Sequence, residues 1–448
     1  MKINLKEIPK ILKKLKIEEN FEFDSKDIYT DTRNPIKNGI FIALLGKTFD
    51  AHDFVNQIEK TKPTLIFTEK IIKTDLPQVV VSSTKELLKD LSNNIRVKSK
   101  ATFVGITGSN GKTTTKELII QILKQFYNNA EVVGTIGNFN NEIGLPLSMF
   151  QVTKKTKYAI FEVGTNHPGE IKQLAKILRP NIALITNIGE AHIGNFGSKE
   201  KIAFEKKSLF DYLLSTDTVL LNTDNKYTSD VQEIDCKKFT ISSNKSSADI
   251  FWTDIDETNI RLNYQGTSIE IRNPLIGKHN NINLLFAIGV VLNLGIEIEK
   301  IQQSLMQIKS PKGRMERISG IQGSIIIDDT YNSNPTSLLA AVDFLERHNG
   351  YKILVIGDIA EMGPEEEVIH QELGKKINNK KIDLILGVGP LTRLTLNEIK
   401  KVKNKFFEEK EELYKFLEKF VVEDTMVLVK GSRSARMDLL IDRLRVLQ

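Results

Sequence analysis

From Phe103 to the C-terminus, short β-branched runs alternate with stretches whose apolar positions recur at helical spacing, and few architectures accept that rhythm. TFVGIT, YAIFEV, IALITN and DTVLLN read as buried strands with helices between them. Strands that are apolar on both faces build a parallel sheet covered on both sides. The alternation restarts after the Ser310-Pro311-Lys312-Gly313 turn with SIIIDD, KILVIG, DLILGV and TMVLVK, which predicts a second, Rossmann-like unit.

The residues before position 99 do not follow this pattern and are assigned to a separate small domain. GIFIAL at 39–44 and TLIFTE at 64–69 are its expected strands, and a helix is expected over 84–95. In the opening MKINLKEIPKILKKLKI, Ile8, Ile11, Leu12 and Leu15 fall at helical spacing, which predicts a basic amphipathic helix entered at Pro9. Lysines interrupt every apolar stretch there, so no signal-peptide core forms.

Composition excludes several function classes. The longest apolar run, 284–292, is far short of the roughly 20 residues that span a bilayer, so membrane insertion is not expected. A net charge of +6 spread over many lysines, without dense basic runs and interleaved aromatics, reads as a solvated surface rather than a nucleic-acid face. The single cysteine, Cys236, allows no internal disulfide and no zinc cluster. A reducing compartment, the cytoplasm, is expected, with a monomer as the default state.

The strongest local signal is TFVGITGSNGKTTTKELIIQIL. A strand ends at Thr107, Gly108, Ser109, Asn110 and Gly111 form a turn, and Lys112, Thr113 and Thr114 open an amphipathic helix. Glycines let backbone N–H groups converge on phosphate oxygens, the helix N-terminus adds positive potential, and Lys112 supplies a point charge. Thr113 is placed to offer its hydroxyl to Mg²⁺. The usual pattern wants a further glycine five residues before Gly111, where this chain has Ile106.

Glu162 closes the strand of YAIFEV, and His192 follows the strand of IALITN. In a parallel sheet both positions open on the crevice of the phosphate loop. Taken alone, a histidine is an unusual Mg²⁺ ligand.

The short form TGSNGKT, together with GKHNNIN and SPKGRME farther on, resembles the Mur ligase family. The resemblance runs through the whole chain in order. It implies an α/β fold of three domains, 1–98, 99–309 and 310–448: a nucleotide-sugar-peptide domain, a central P-loop-type domain that binds ATP, and a C-terminal Rossmann-like domain that closes over it. It makes Glu162 and His192 metal-site residues with Thr113. It implies a carbamylated lysine at Lys206, four residues before Phe210, with Lys207 adjacent. Such a carbamate would turn a repelling cation into an anionic oxygen ligand.

In the same resemblance Asn283 contacts adenine, as does Asn280 unless it caps the helix, and His279 lies near the phosphates. Arg314 is a γ-phosphate clamp and Asp329 a ribose ligand. VIGDIAEMGPEEEVIHQELG and LVKGSRSARMD resemble the branch that adds D-alanyl-D-alanine to UDP-N-acetylmuramoyl-tripeptide, and carry Asp358, Glu361, His370, Lys430, Ser432 and Arg433. Tyr331, Asn332 and Asn334 follow Asp329. Thr32 and Arg33 fall in the segment that resembles a uridine-nucleotide sugar site, and Asn140 and Asn141 in a precursor-binding loop. Thr32 and Ala51 stand where serine and glycine are more usual. DNPR-like and DYAHTPD-like segments of the diaminopimelate- or lysine-adding branch do not occur.

The reaction implied is amide formation through an acyl-phosphate, with ATP and Mg²⁺ consumed and held in a closed cleft. A folate-type ligase, a silent nucleotide-binding module and a P-loop ATPase that works by hydrolysis alone are the alternatives.

Overall fold

The computed structural model describes residues 1–46, 49–189, 193–229, 234–243, 245–254, 259–277 and 279–446. Its centre is a nine-stranded sheet. Thr102–Thr107 lies third from one edge, paired in parallel with Tyr158–Glu162 on one side and Ile182–Ile185 on the other. Parallel pairing continues through Thr218–Asn222 and Lys237–Ser242 to Ile250–Asp254. There the sheet changes character, because Asn259–Tyr264 and Thr267–Arg272 add an antiparallel hairpin at the edge.

Alternation along the central strands sorts their side chains into two cores. Phe103, Ala159, Phe161, Ala183 and Ile185 face one side, while Val104, Ile106, Ile160, Ile182 and Leu184 face the other. The second side is covered by Lys112–Leu123 and by His279–Asn293. The latter is apolar around its whole circumference from Leu284 to Val291 and is correspondingly buried on all sides. Ile106, where a glycine was absent from the expected pattern, is fully buried in this core. Among the described residues no helix is long and apolar enough to cross a membrane.

The C-terminal sheet has six strands. Ile325–Asp329, Met426–Lys430, Lys352–Gly357, Leu384–Val388 and Asn404–Phe407 are parallel neighbours in that order, and Glu316–Ser319 adds an antiparallel edge. Strand order therefore doubles back at Met426–Lys430, and the carboxyl ends Asp329 and Lys430 stand side by side. A crevice at such a reversal is where open α/β sheets bind ligands.

The N-terminal unit has a five-stranded sheet that includes Ile40–Ile42 and Leu65–Thr68, with the helix Thr84–Lys98 following. The expected helix at Pro9 is not formed. Leu5–Glu7 is a single 3-10 turn, and Ile11–Leu15 is an edge strand antiparallel to Gln78–Val81. Leu12, assigned above to an apolar helix face, is 65% exposed. Lys10 at φ 59° turns the chain out of any helix begun at Pro9, and the open edge of Gln78–Val81 offers main-chain partners that a short lysine-rich helix in water lacks.

Leu87, Leu88, Leu91 and Ile95 of Thr84–Lys98 merge the N-terminal core with the Phe103 face of the central sheet. Arg96 fastens the junction. Its guanidinium donates to the carbonyls of Leu178 (2.9 Å) and Arg179 (2.7 Å) and to Asn181 Oδ1 (3.2 Å), and lies 4.4 Å from the Phe103 ring centroid. Arg96→Lys keeps the charge but not the planar fork. We expect it to weaken this junction by about 2 kcal/mol, read as a lower thermal midpoint and faster proteolysis at 99–101. An unchanged melting curve and protease pattern would show that the apolar seam alone holds the two units.

Candidate active site

Gly108 and Gly111 shape the turn after Thr107 because neither position tolerates a Cβ. Gly108 has φ 151°, and an added Cβ would sit 1.9 Å from Thr186 Oγ1. Gly111 has φ 82°, and its Cβ would meet Asn283 Oδ1 at 2.1 Å. The loop is anchored from the next strand's end: Ser109 N donates to Asn187 O, Asn110 N to Asn187 Oδ1, and Gly189 N to Ser109 Oγ. Lys112 Nζ folds back onto Gly108 O at 2.6 Å. Burial lowers the pKa of Lys112, Glu162 opposes that shift, and Arg314 adds to it.

Thr113 Oγ1 donates to Glu162 Oε2 (3.1 Å) and accepts from Arg314 Nη2 (3.3 Å). Glu162 is only 1% exposed, and its Oε1 makes no hydrogen bond. A hard, buried carboxylate beside a threonine hydroxyl and a phosphate cradle fits Mg²⁺, which takes few protein ligands and leaves the rest to phosphate and water. His192 lies outside the described residues, as does the side chain of His279. Lys116, which sequence reasoning passed over as one of many helix lysines, is 1% exposed with Nζ 3.3 Å from Glu162 and 2.8 Å from Glu117. Its spacing of four residues from Lys112 puts both on one helix face, but nothing in that spacing marks it as buried.

Lys206 is 2% exposed, whereas Lys207 is partly exposed. Burial, then the Lys112 charge, drives the Lys206 amine well below the ordinary lysine range, with Glu205 opposing. Glu205 itself accepts from Gly169 N and Ile171 N at 2.7 Å and so ties this helix to the start of Glu170–Leu178.

Asn280 and Asn283 are both buried, and Asn283 Nδ2 donates to Asn280 Oδ1 at 3.0 Å. Asn280 Nδ2 reaches the Ile276 carbonyl at 2.8 Å. It stands inside the first turn of its helix rather than at the cap. From the C-terminal sheet, Asp329 pairs with Lys430 at 2.6 Å and accepts from Met315 N. Lys430 also donates to Asn332 O. Arg314 stacks on Tyr331, its guanidinium carbon 4.0 Å from the ring centroid. Asn334 caps Pro335–Leu345 and extends Nδ2 to Asn110 Oδ1 at 2.5 Å, so a helix cap of one sheet grips the phosphate loop of the other.

Two cavities follow. One of ≈ 210 Å³ is lined by Ser109 to Thr114, Asn280, Asn283, Asp329, Asn334 and Lys430. A second of ≈ 1080 Å³ holds Asn140, Asn141, Glu162, Tyr331, Ser432 and Arg433. Lys112, Thr113, Arg314, Asn332 and Glu361 line both.

Of the expected residues that are described, Gly108, Lys206, Asp358, His370, Thr32 and Arg33 line neither cavity. Asp358 accepts from Thr392 N (2.7 Å) and Oγ1 (2.8 Å), bracing the neighbouring turn. His370 is in the helix Glu366–Ile377, buried against Thr395 and Ile359. Burial lowers its pKa. Thr32 and Arg33 are on the N-terminal unit, where exposed Arg33 grips Asp31 at 2.8 Å.

Gly111→Ala should lower affinity for nucleotide about 100-fold while leaving the far-ultraviolet spectrum unchanged, as measured by calorimetric titration with ADP. Wild-type affinity in that variant would mean the loop tolerates a side chain at φ 82° and is not a tight phosphate cradle.

The Mur ligase middle domain model matches residues 106–291, and the Mur ligase, glutamate ligase domain model matches 313–433. The UDP-N-acetylmuramoyl-tripeptide–D-alanyl-D-alanine ligase of Buchnera aphidicola (Acyrthosiphon pisum) is 35% identical over 93% of each chain. That of Escherichia coli is 33% identical over 92% of each. MurF from Acinetobacter baumannii superposes with a TM-score of 0.84 at 33% identity, covering 93% of this chain and 92% of its own. MurF from Thermotoga maritima in complex with ADP gives 0.81 at 26% identity, covering 94% and 98%. With family models over its central and C-terminal sheets and relatives matched along nearly its whole length, this chain belongs to the Mur ligase family, in the branch of the UDP-N-acetylmuramoyl-tripeptide–D-alanyl-D-alanine ligases.

Proposed function

We propose that this chain is an ATP-dependent, ADP-forming ligase that adds D-alanyl-D-alanine to UDP-N-acetylmuramoyl-tripeptide, giving the pentapeptide precursor of peptidoglycan. One observation carries the reading: the phosphate cavity and the larger cleft share Lys112, Thr113 and Arg314 in their walls. A transferable phosphoryl group held in the first therefore faces an acid held in the second. The chain binds its substrates in the cytoplasm as a monomer in this reading. Domains 1–98, 99–309 and 310–448 divide the work of binding the nucleotide-sugar peptide, ATP and the incoming dipeptide.

A carboxylate oxygen of the tripeptide attacks the γ-phosphorus, the bond to the β-bridging oxygen breaks, and ADP leaves an acyl-phosphate. Lys112 moves from the Gly108 carbonyl to the phosphates, and Arg314, already braced by Tyr331, offsets charge on the moving group. The amine of D-alanyl-D-alanine then attacks the acyl carbon. The tetrahedral adduct collapses to an amide, releasing phosphate and the amine proton. Asn140, Asn141, Tyr331, Asn332, Ser432 and Arg433 are the polar groups available to hold both peptides. Thr32 and Arg33 serve the uridine nucleotide, Asp329 the ribose, and Asn280 with Asn283 the base.

Thr113, Glu162, His192 and a carbamate on Lys206 would hold Mg²⁺, which would supply Lewis-acid withdrawal of phosphate charge. Burial favours the carbamate at this lysine. A neutral amine attacks CO₂, a C–N bond forms, a proton passes to solvent, and the anion left behind faces Lys112 rather than repelling the metal.

Incubation of the protein with all three reactants should yield the pentapeptide nucleotide, ADP and phosphate by mass spectrometry. If a known relative converts them in parallel and this protein does not, the assignment fails. Lys206→Ala should lose about 100-fold or more in turnover, recovered in part by bicarbonate with a short-chain carboxylic acid. Full activity of the unrescued variant would remove Lys206 from the site.

A further inference from the structure

Lys116 is a buried cation that the reaction above does not use. Its ammonium lies between two carboxylates, Glu162 at 3.3 Å and Glu117 at 2.8 Å, and donates to Thr135 O at 3.2 Å. Thr135 also braces the other end of the contact, because its Oγ1 accepts from Glu162 N at 2.7 Å. The two carboxylates differ in kind: Glu117 is 37% exposed and is solvated by water, whereas Glu162 is 1% exposed. A carboxylate so buried stays ionised only with a cation or several donors beside it. Thr113 gives it one hydrogen bond, and Lys116 gives it the charge.

We propose that Lys116 is a positioning residue that stands in for the metal in the nucleotide-free protein, fixing Glu162 beside Thr113 and competing with a divalent cation for it. Resting on the reading of Glu162 as a metal ligand, this goes beyond it by assigning a role to a residue outside that ligand set. An ammonium this close to the carboxylate repels an incoming dication in a poorly screened interior. Free Mg²⁺ is thus held weakly until the phosphates of a nucleotide add enough negative charge to outweigh the repulsion. Glu117 provides the ammonium with a second carboxylate to lean on when the metal takes Glu162.

The test is titration of the nucleotide-free full-length protein with Mn²⁺, followed by loss of the free-ion paramagnetic resonance signal. Lys116→Met should bind Mn²⁺ about tenfold more tightly or better, and Lys116→Arg should behave as wild type. Equal affinity in all three proteins overturns the proposal. If Lys116→Met is recovered unfolded, refolding in millimolar MnCl₂ should rescue it, because the dication replaces the missing charge. Failure to refold with the metal as well as without it also overturns the proposal. Glu162→Gln separates the two levels of inference. Should Mn²⁺ binding in the presence of ADP survive that change, Glu162 is no ligand and the site reading falls. Should that binding be lost while Lys116→Met gains nothing, only the role of Lys116 falls.

Discussion

Glu162 carries a negative charge into the end of the central sheet with almost no access to water, and the active-site side of the molecule is arranged around that fact. Interior carboxylates are tolerated only when paired and hydrogen-bonded. Here Thr113 and Lys116, both from Lys112–Leu123, supply the partners. The same helix begins in the phosphate loop, so fixing Glu162 also fixes the rotation of the helix and the direction of its N-terminus. Burial opposes the charge on Lys116, yet Glu162 and Glu117 outweigh it and keep its pKa above the ordinary value. Loop, helix and metal ligand thus form one mechanical unit.

That unit depends on the C-terminal sheet for completion. Arg314 reaches Thr113, and Asn334 reaches Asn110. Neither contact is local: each joins residues about half the chain apart, and each comes from a residue already locked by another duty. Arg314 is stacked on Tyr331, and Asn334 is the reciprocal cap of its own helix. Side chains locked in this way lose little further freedom when a ligand arrives, which is how a site split between two sheets can still be geometrically exact enough for phosphoryl transfer.

What could be seen in the sequence was what local physics decides. The phosphate loop was legible because a strand end, two glycines with forced backbone angles and a helix start are all specified within TGSNGKT. Four strands of each large sheet were legible because burial on both faces leaves unbroken apolar runs, whereas Lys237–Ser242 and Asn404–Phe407, more polar and nearer the edges, were not. Ile11–Leu15 was misread because its spacing suits a helix, and only the distant edge of Gln78–Val81 makes it a strand. Lys116 and Lys206 were alike in being lysines on helices, and nothing in a sequence distinguishes a solvated lysine from one held by a carboxylate on another strand. The resemblance supplied Lys206, and the fold alone exposed Lys116. Asp358 and His370 illustrate the reverse case. Both sit in segments that resemble family motifs, yet their hydrogen bonds to Thr392 and Thr395 make them braces of the turn and helix behind the cleft.

Around the phosphate loop the basic side chains Lys112, Arg314 and Lys430 outnumber the acidic Asp329 and Glu361. Burial lowers the pKa of Lys112, and Arg314 lowers it further against the pull of Glu162 and Glu361. Lys206 is lowered by burial and then by Lys112. Lys430 is lowered by burial, partly restored by Asp329, and lowered again by Arg314. Basic groups lowered first by burial, and then by one another, gain most from an anion that touches several of them together. A triphosphate does so along the loop, and a carbamate at Lys206 would relieve Lys112 from the other side. Negative charge arriving at the loop is therefore met by several basic groups together, on a frame that Arg314–Thr113 and Asn334–Asn110 already hold across the two sheets.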